Sequence, residues 1–540
     1  MNGLGAGSKK LLRFFTIADI HISDPETPAQ TIYFGFCGNN LDCSGVAAFK
    51  PYISSCFSPI MIYTTQFLDS TVQTINLMHN QDPFDFGIAL GDVINNTEYK
   101  ELRLFIDVMD GNNPIAPHSG NQSSSDIFNA VGLDRTISWY AVLGNHDHFY
   151  NGIFPVNDKL RAAYVGSSIL QIGNPLIDPD AINKNTYYMG AINGFTNDGD
   201  INIIGVGPIP LATGSANDFT WWTWNNTPNK GAPTITPDPV RRSLIKQQWM
   251  GEFFNTKSNP VGHGFTQDNV NSGHAYYSFY PKPGIKVIVL DDTMPDAVID
   301  DKIRIYGWGY IDNNQYDWLV KELNMGQAKD DLMIIAAHVP INVVPVDDRS
   351  GVAWTSSSPV SQAKVLATLH KYSNLILWIS GHRHRNDITL QKSPDPSHPE
   401  LGFWEVETSS LRDFPQEFRS FDIYRNSDNT VSIVTVDIDP VVTGEKSAWA
   451  PYYPPAELSR VYAIAAEQIS PLPPGARYYN AELVKQLTVT EDVGNSWAMP
   501  TCITIGAATG VSALAYGGYY YYQYRMNLSR EGLRHPMLAP

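Results

Sequence analysis

"AVLGNHDHFY", residues 141–150, decides how this chain is read. The run "ISWYAVL" (137–143) has the length and apolar character of a buried strand. Gly144, Asn145, His146 and Asp147 follow at once, so amide, imidazole and carboxylate groups crowd one strand end. A single cluster of this kind is an ordinary hydrogen-bonded loop. Its meaning depends on whether other strand ends carry similar groups.

Four others do. "LLRFFTIA" (11–18) runs into Asp19-Ile20-His21, and "FDFGIAL" (84–90) into Gly91-Asp92. "DLMIIAAHVP" (331–340) carries His338, and "NLILWISGHRHRN" (374–386) carries Gly381, His382 and His384. Helical periodicity falls between these runs, at 60–78, 99–109, 313–323 and 361–372. "IKVIVLDDT" (285–293) reads as a further strand, and 403–438 as several short ones. Alternating strands and helices with polar clusters after strands predict an α/β architecture, its active site at the carboxyl edge of a sheet.

The clustered donors are carboxylate, amide and imidazole, with no thiolate. That set suits Zn, Mn or Fe in a nitrogen/oxygen site. Two cations about 3.5–4 Å apart need one ligand that reaches both, which a carboxylate does more readily than an imidazole. Gly91, Gly144 and Gly381 precede ligands, where a sharp turn predicts positive φ. In Asp19-x-His21 and His382-x-His384, the spacing predicts side chains on one side of an extended segment.

The ordered set D-x-H, G-D, G-N-H-D, H, G-H-x-H resembles the calcineurin-like metallophosphoesterases, from about Phe14 to about residue 438. The resemblance implies a four-layer αββα sandwich of two mixed β-sheets bearing large loop insertions. Matched motif by motif, Asp19, His21 and His384 would bind one metal, and Asn145, His338 and His382 the other, with Asp92 bridging. His146 would face substrate as proton donor, and Asp147 would orient it through a hydrogen bond. His148 has no family role and reads as structural. The implied reaction is phosphoester hydrolysis by a metal-activated hydroxide, with two divalent ions (Mn, Zn or Fe) as cofactors.

Within that superfamily, Asn95 stands where purple acid phosphatases place a tyrosine, which argues against a tyrosinate–iron site. "GDVINNTEY" has no arginine soon after Asp92, where protein phosphatases of this superfamily usually carry one, which lowers that reading. The roughly 100 residues after 440 are short for the substrate domain of periplasmic 5′-nucleotidases. "GDVINN" is closer to the phosphodiesterase-like branch and to large bacterial metallophosphoesterases of unassigned substrate. The competing readings are a non-catalytic scaffold of the same fold, which would typically have lost ligands, and a nuclease.

Composition narrows the partners. The 540 residues are 43% hydrophobic and 17% charged, as in a globular protein. A net charge of −17 disfavours a nucleic-acid partner, leaving a small-molecule or lipid-like phosphoester as the expected substrate. Residues 493–524 carry no charge, but Gly506, Gly510, Gly517 and Gly518 interrupt them, so a membrane span is not favoured. The expected domains are a catalytic one over 11–440, with insertions at about 24–60 and 151–280, and an extension over 441–540. Trp221, Trp222 and Trp224 in the second insertion suit either ligand stacking or a packed loop core. Cys37, Cys43, Cys56 and Cys502 form no C-x-x-C pair. The cysteine cluster and Asn-rich loops point to an extracytoplasmic protein whose leader is absent from this sequence; taken literally, the leaderless N-terminus points to cytoplasm.

Overall fold

The computed structural model describes residues 7–28, 59–120, 126–152, 154–156, 158–166, 236–296, 307–343, 354–441, 456, 458–460, 463 and 480–488, and the backbone alone at 189–195 and 201–206. In chain order the elements begin with β1 (Lys9–Ile17), α1 (Thr64–Gln81), β2 (Phe86–Ala89), α2 (Tyr99–Asp110) and β3 (Ser138–Ala141). The short strands β4 (Phe149–Tyr150) and β5 (Phe154–Pro155) follow, then α3 (Asp158–Val165) and the hairpin β6 (Met189–Phe195) and β7 (Ile201–Val206). Next come α4 (Lys246–Glu252), α5 (Gln267–Ser272), β8 (Tyr277–Lys282), β9 (Ile285–Val289), α6 (Asn313–Ala328), β10 (Leu332–Ala336) and α7 (Gln362–Leu369). The last are β11 (Leu375–Ser380), β12 (Asp387–Gln391), β13 (Phe403–Glu407), β14 (Phe418–Arg425), β15 (Thr430–Ile438) and β16 (Ala481–Gln486).

Two six-stranded mixed sheets result, as the resemblance implies. The first runs β16-β15-β14-β1-β2-β3, with β1, β2 and β3 parallel. The second runs β12-β13-β11-β10-β9-β8, with β13, β11, β10 and β9 parallel. Alternation explains the layering. Ile285, Val287 and Val289 of β9 join one apolar cluster with residues of the first sheet, while Ile288 joins a second with Leu319 and Leu323 of α6. In β10, Ile334 and Ala336 belong to the first cluster, Met333 and Ile335 to the second. Strands buried on both faces are mostly apolar, as parallel strands between layers tend to be, and the buried Lys286 of β9 is paired with Glu322 of α6. Tyr140 of the first sheet stacks on Phe279 of the second at 3.5 Å between ring centroids, which fixes the sheets face to face.

Elements of both sheets and of the core lie across two of the expected boundaries. The stretch 151–280 is not all insertion: Trp249, Phe253 and Phe265 lie in the main core, and β8 is an edge strand of the second sheet. Nor does the first sheet end at 440. Residues 481–486 pair antiparallel with β15, so part of the C-terminal extension completes that sheet. Trp221, Trp222, Trp224, the four cysteines and residues 493–524 lie outside the described residues. No helix among the described residues is long and apolar enough to cross a membrane.

Candidate metal centre

All seven sequence-predicted ligands sit just beyond the carboxyl ends of parallel strands, and the two sheets bring them together. Asp19, His21, Asp92 and His384 offer ligand atoms within 4.8 Å of one another; so do Asp92, His338 and His382. Asp92 belongs to both groups, which is the geometry of a shared ligand. Asn145 joins the second: its Oδ1 lies 2.8 Å from His338 Nε2 and 3.0 Å from His382 Nδ1.

The left-handed backbone that glycines were expected to supply is carried mostly by the candidate ligands. Asp19, His21, Asp92, His382 and His384 have φ of 50°, 49°, 50°, 76° and 54°. Each such residue costs of order 1–3 kcal/mol, a cost that persists where surroundings over-determine the conformation. Here the loops after β1 and β2 are zipped together: Asp19 N–H donates to Gly91 O, His21 N–H to Asp92 O and Ile22 N–H to Val93 O. The two-residue spacing therefore works through turned backbone, not an extended segment. In the second pair it parts the imidazoles: His384 Nε2 faces His21 Nε2 at 3.1 Å, and His382 Nδ1 faces His338 Nε2 at 3.2 Å. Of the glycines before ligands, only Gly91 has positive φ. Gly144 and Gly381 are needed for closeness: a Cβ at Gly144 would stand 2.2 Å from Asp92 Oδ1, and one at Gly381 2.4 Å from Asp19 Oδ2.

Hydrogen bonds on the outer side of four candidate ligands decide what faces inward. His338 Nδ1–H donates to Leu90 O at 2.8 Å, and His384 Nδ1–H to Asp413 at 2.5 Å. His21 Nδ1 pairs with Asn95 Oδ1 at 3.2 Å. Asn145 Nδ2 donates to Gly152 O at 2.9 Å, which turns its Oδ1 inward. In neutral imidazoles these bonds leave the inward Nε2 atoms as lone-pair donors. Lone pairs converging on buried carboxylates, with no thiolate among them, fit cations of the Zn, Mn or Fe type.

The charges follow from that crowding. Burial opposes ionisation of Asp92, but His338, His146 and His21 hold it well below the usual carboxylate range. Burial lowers His338 and His384; Asp92 beside the first and Asp19 beside the second override it and push each up to about 10. His21 goes the other way, depressed by burial and by its His146 and His384 neighbours. Without a cation, the centre gathers protons where its carboxylates are.

His146 is buried beside the ligands, its ring 4.5 Å from that of His21. Asp147 does not do what the sequence suggested. Its carboxylate accepts the backbone N–H groups of Asp92, Val93, Ile94 and Gly144 at 2.7–3.2 Å, tying the Asp92 loop to the Asn145 loop. His146 is oriented instead by Asn95, whose backbone O accepts from Nδ1 at 2.8 Å. His148 is structural, held between Asp296 and Thr293. Sequence reasoning missed four contributors: Asn95, Asp413, Gly152, and Asp292, which accepts the N–H groups of His338 and Val339. A Cβ on Gly152 would lie 2.5 Å from His146 Nε2. Asp292 and Asp413 follow carboxyl ends of parallel strands, so the rule that located the ligands also reaches them.

No family model matches the chain, and no curated protein does. Among solved structures, a dimetal phosphatase from Danio rerio is similar over 80% of this chain and 98% of its own, at 11% identity and a TM-score of 0.39.

Proposed function

We propose that the chain is a dinuclear-metal phosphoester hydrolase acting on a small-molecule or lipid-like phosphodiester or phosphomonoester. The observation that carries this reading is the convergence of seven nitrogen and oxygen donors, from both sheets, around one shared carboxylate. Asp19, His21 and His384 would hold one cation, Asn145, His338 and His382 the other, and Asp92 both. Cations held there supply phosphoryl polarisation and hydroxide near neutral pH.

The remaining chemistry belongs to the chain. With Nδ1–H committed to Asn95 O, His146 has Nε2 to carry a proton to the leaving oxygen. Burial lowers His146 below 6.5, against the pull of Asp92, so its imidazolium is populated toward acid pH. Reactions needing that proton therefore slow as pH rises. Asp147 keeps the Asp92 and Asn145 loops in register and has no contact with the proton it was expected to steer.

The test is turnover of bis(p-nitrophenyl) phosphate and p-nitrophenyl phosphate with added Mn²⁺ or Zn²⁺, repeated after chelation. Chelator-reversible hydrolysis is expected, and the faster substrate distinguishes diesterase from monoesterase. A metal-loaded chain inert toward both, and toward a panel of lipid and nucleotide phosphoesters, would return the non-catalytic scaffold as the better reading.

A further inference from the structure

The segment between β13 and β14 leaves the second sheet, passes the metal centre and enters the first. Along the way it grips the Asp19 turn at three points. Leu411 N–H donates to Ala18 O at 3.0 Å, Arg412 N–H to Asp19 O at 3.3 Å, and Ser410 Oγ to Asp19 O at 2.6 Å. Ser410 Oγ also accepts the N–H groups of Arg412 and Asp413, which sets the turn. Asp413 then reaches His384 Nδ1. One strap of four residues, Ser410 to Asp413, thus holds a carboxylate ligand from the first sheet and an imidazole ligand from the second.

His338 and His21 are backed by neutral acceptors instead: a backbone carbonyl for the first and an amide oxygen for the second. A carboxylate behind an imidazole fixes its tautomer, sharpens its orientation and makes the opposite nitrogen a stronger donor. We propose that Asp413 is a positioning residue which sets how tightly the Asp19–His21–His384 half binds its cation. The proposal rests on the two-cation reading above.

Zn²⁺ is titrated against a fluorescent chelator for the full chain, for Asp413→Asn, Asp413→Ala and Asp413→Glu, and for each variant combined with His338→Ala to report the first half alone. Asp413→Ala should weaken that half by about 10–100-fold, the usual cost of removing such a partner. Asp413→Asn, which keeps an acceptor but not the charge, should fall between, and Asp413→Glu should recover part of the loss. The half built on Asn145, His338 and His382 should keep its affinity in the single variants; general loosening of the fold would weaken both. A wild-type chain that binds two cations, with Asp413→Asn and Asp413→Ala chains that bind them as tightly, overturns this inference alone. A wild-type chain that binds none overturns the reading of the site and this inference with it.

Discussion

The two halves of the centre share Asp92 and a sheet edge but are built differently. The Asp19–His21–His384 half has a carboxylate of its own, a carboxylate behind one imidazole, and three donors in left-handed backbone. The Asn145–His338–His382 half has a neutral amide, a backbone carbonyl behind one imidazole, and one donor in left-handed backbone. His382 is also the partly exposed member of the set, whereas Asp19 and His21 are fully buried. The first half concentrates carboxylates and strain; the second has no carboxylate of its own and is easier to reach. Two candidate sites that share Asp92 can therefore differ in affinity without differing in fold.

The largest effect should follow from removing one imidazole from each half. His338→Ala should cost the weaker cation and nearly all turnover while leaving one cation per chain. His384→Ala, which strips the half with a carboxylate of its own, should leave the chain binding neither cation tightly. Metal analysis after dialysis checks both, and equal residual occupancy would erase the distinction between the halves. A smaller effect should come from His146→Ala, which belongs to neither half. Both cations should stay, with a loss of about 10²–10⁴-fold on substrates with poor leaving groups and far less on nitrophenyl esters. Gly152→Ala should weaken that proton donor and the Asn145 half together, because its Cβ would press on both the His146 ring and Asn145 Nδ2.

The smallest effect concerns protons in the metal-free chain. One imidazole in each half, His384 and His338, is raised from 6.5 to about 10. A raised folded-state value means a stabilising contribution that is complete below pH 6.5 and lost as pH rises through about 10. The chelated chain should therefore lose melting temperature between pH 7 and pH 10. The His338→Ala and His384→Ala chains should each lose less, and a chelated wild-type chain whose melting temperature is flat over this range would contradict these charges.

Much of this cluster was legible in the sequence because the candidate ligands obey a rule about place: they follow apolar strands. Asp19, Asp92, Asn145 and His338 were each readable as the polar residue after a buried run. The outer hydrogen bonds were not, since their acceptors are often backbone atoms that no residue type announces. Leu90 O, Asn95 O and Gly152 O set three of the side chains here. Asp147 misled for the same reason, its four partners being backbone N–H groups on two loops. In the fold, the turn- and polar-rich sequence around Trp249 and Phe265 hid core residues, and "AELVKQ" (481–486) was too short and too distant from β15 to be joined to it.

The comparison of halves assumes that one carboxylate serves both, and cation stoichiometry tests that most directly. Wild-type and Asp92→Ala chains would be loaded with Zn²⁺, desalted and weighed intact by native mass spectrometry. Two cations are expected on the wild-type chain, and one or none on Asp92→Ala with the fold retained. A wild-type chain carrying a single cation, or an Asp92→Ala chain still carrying two, would contradict the shared role of Asp92.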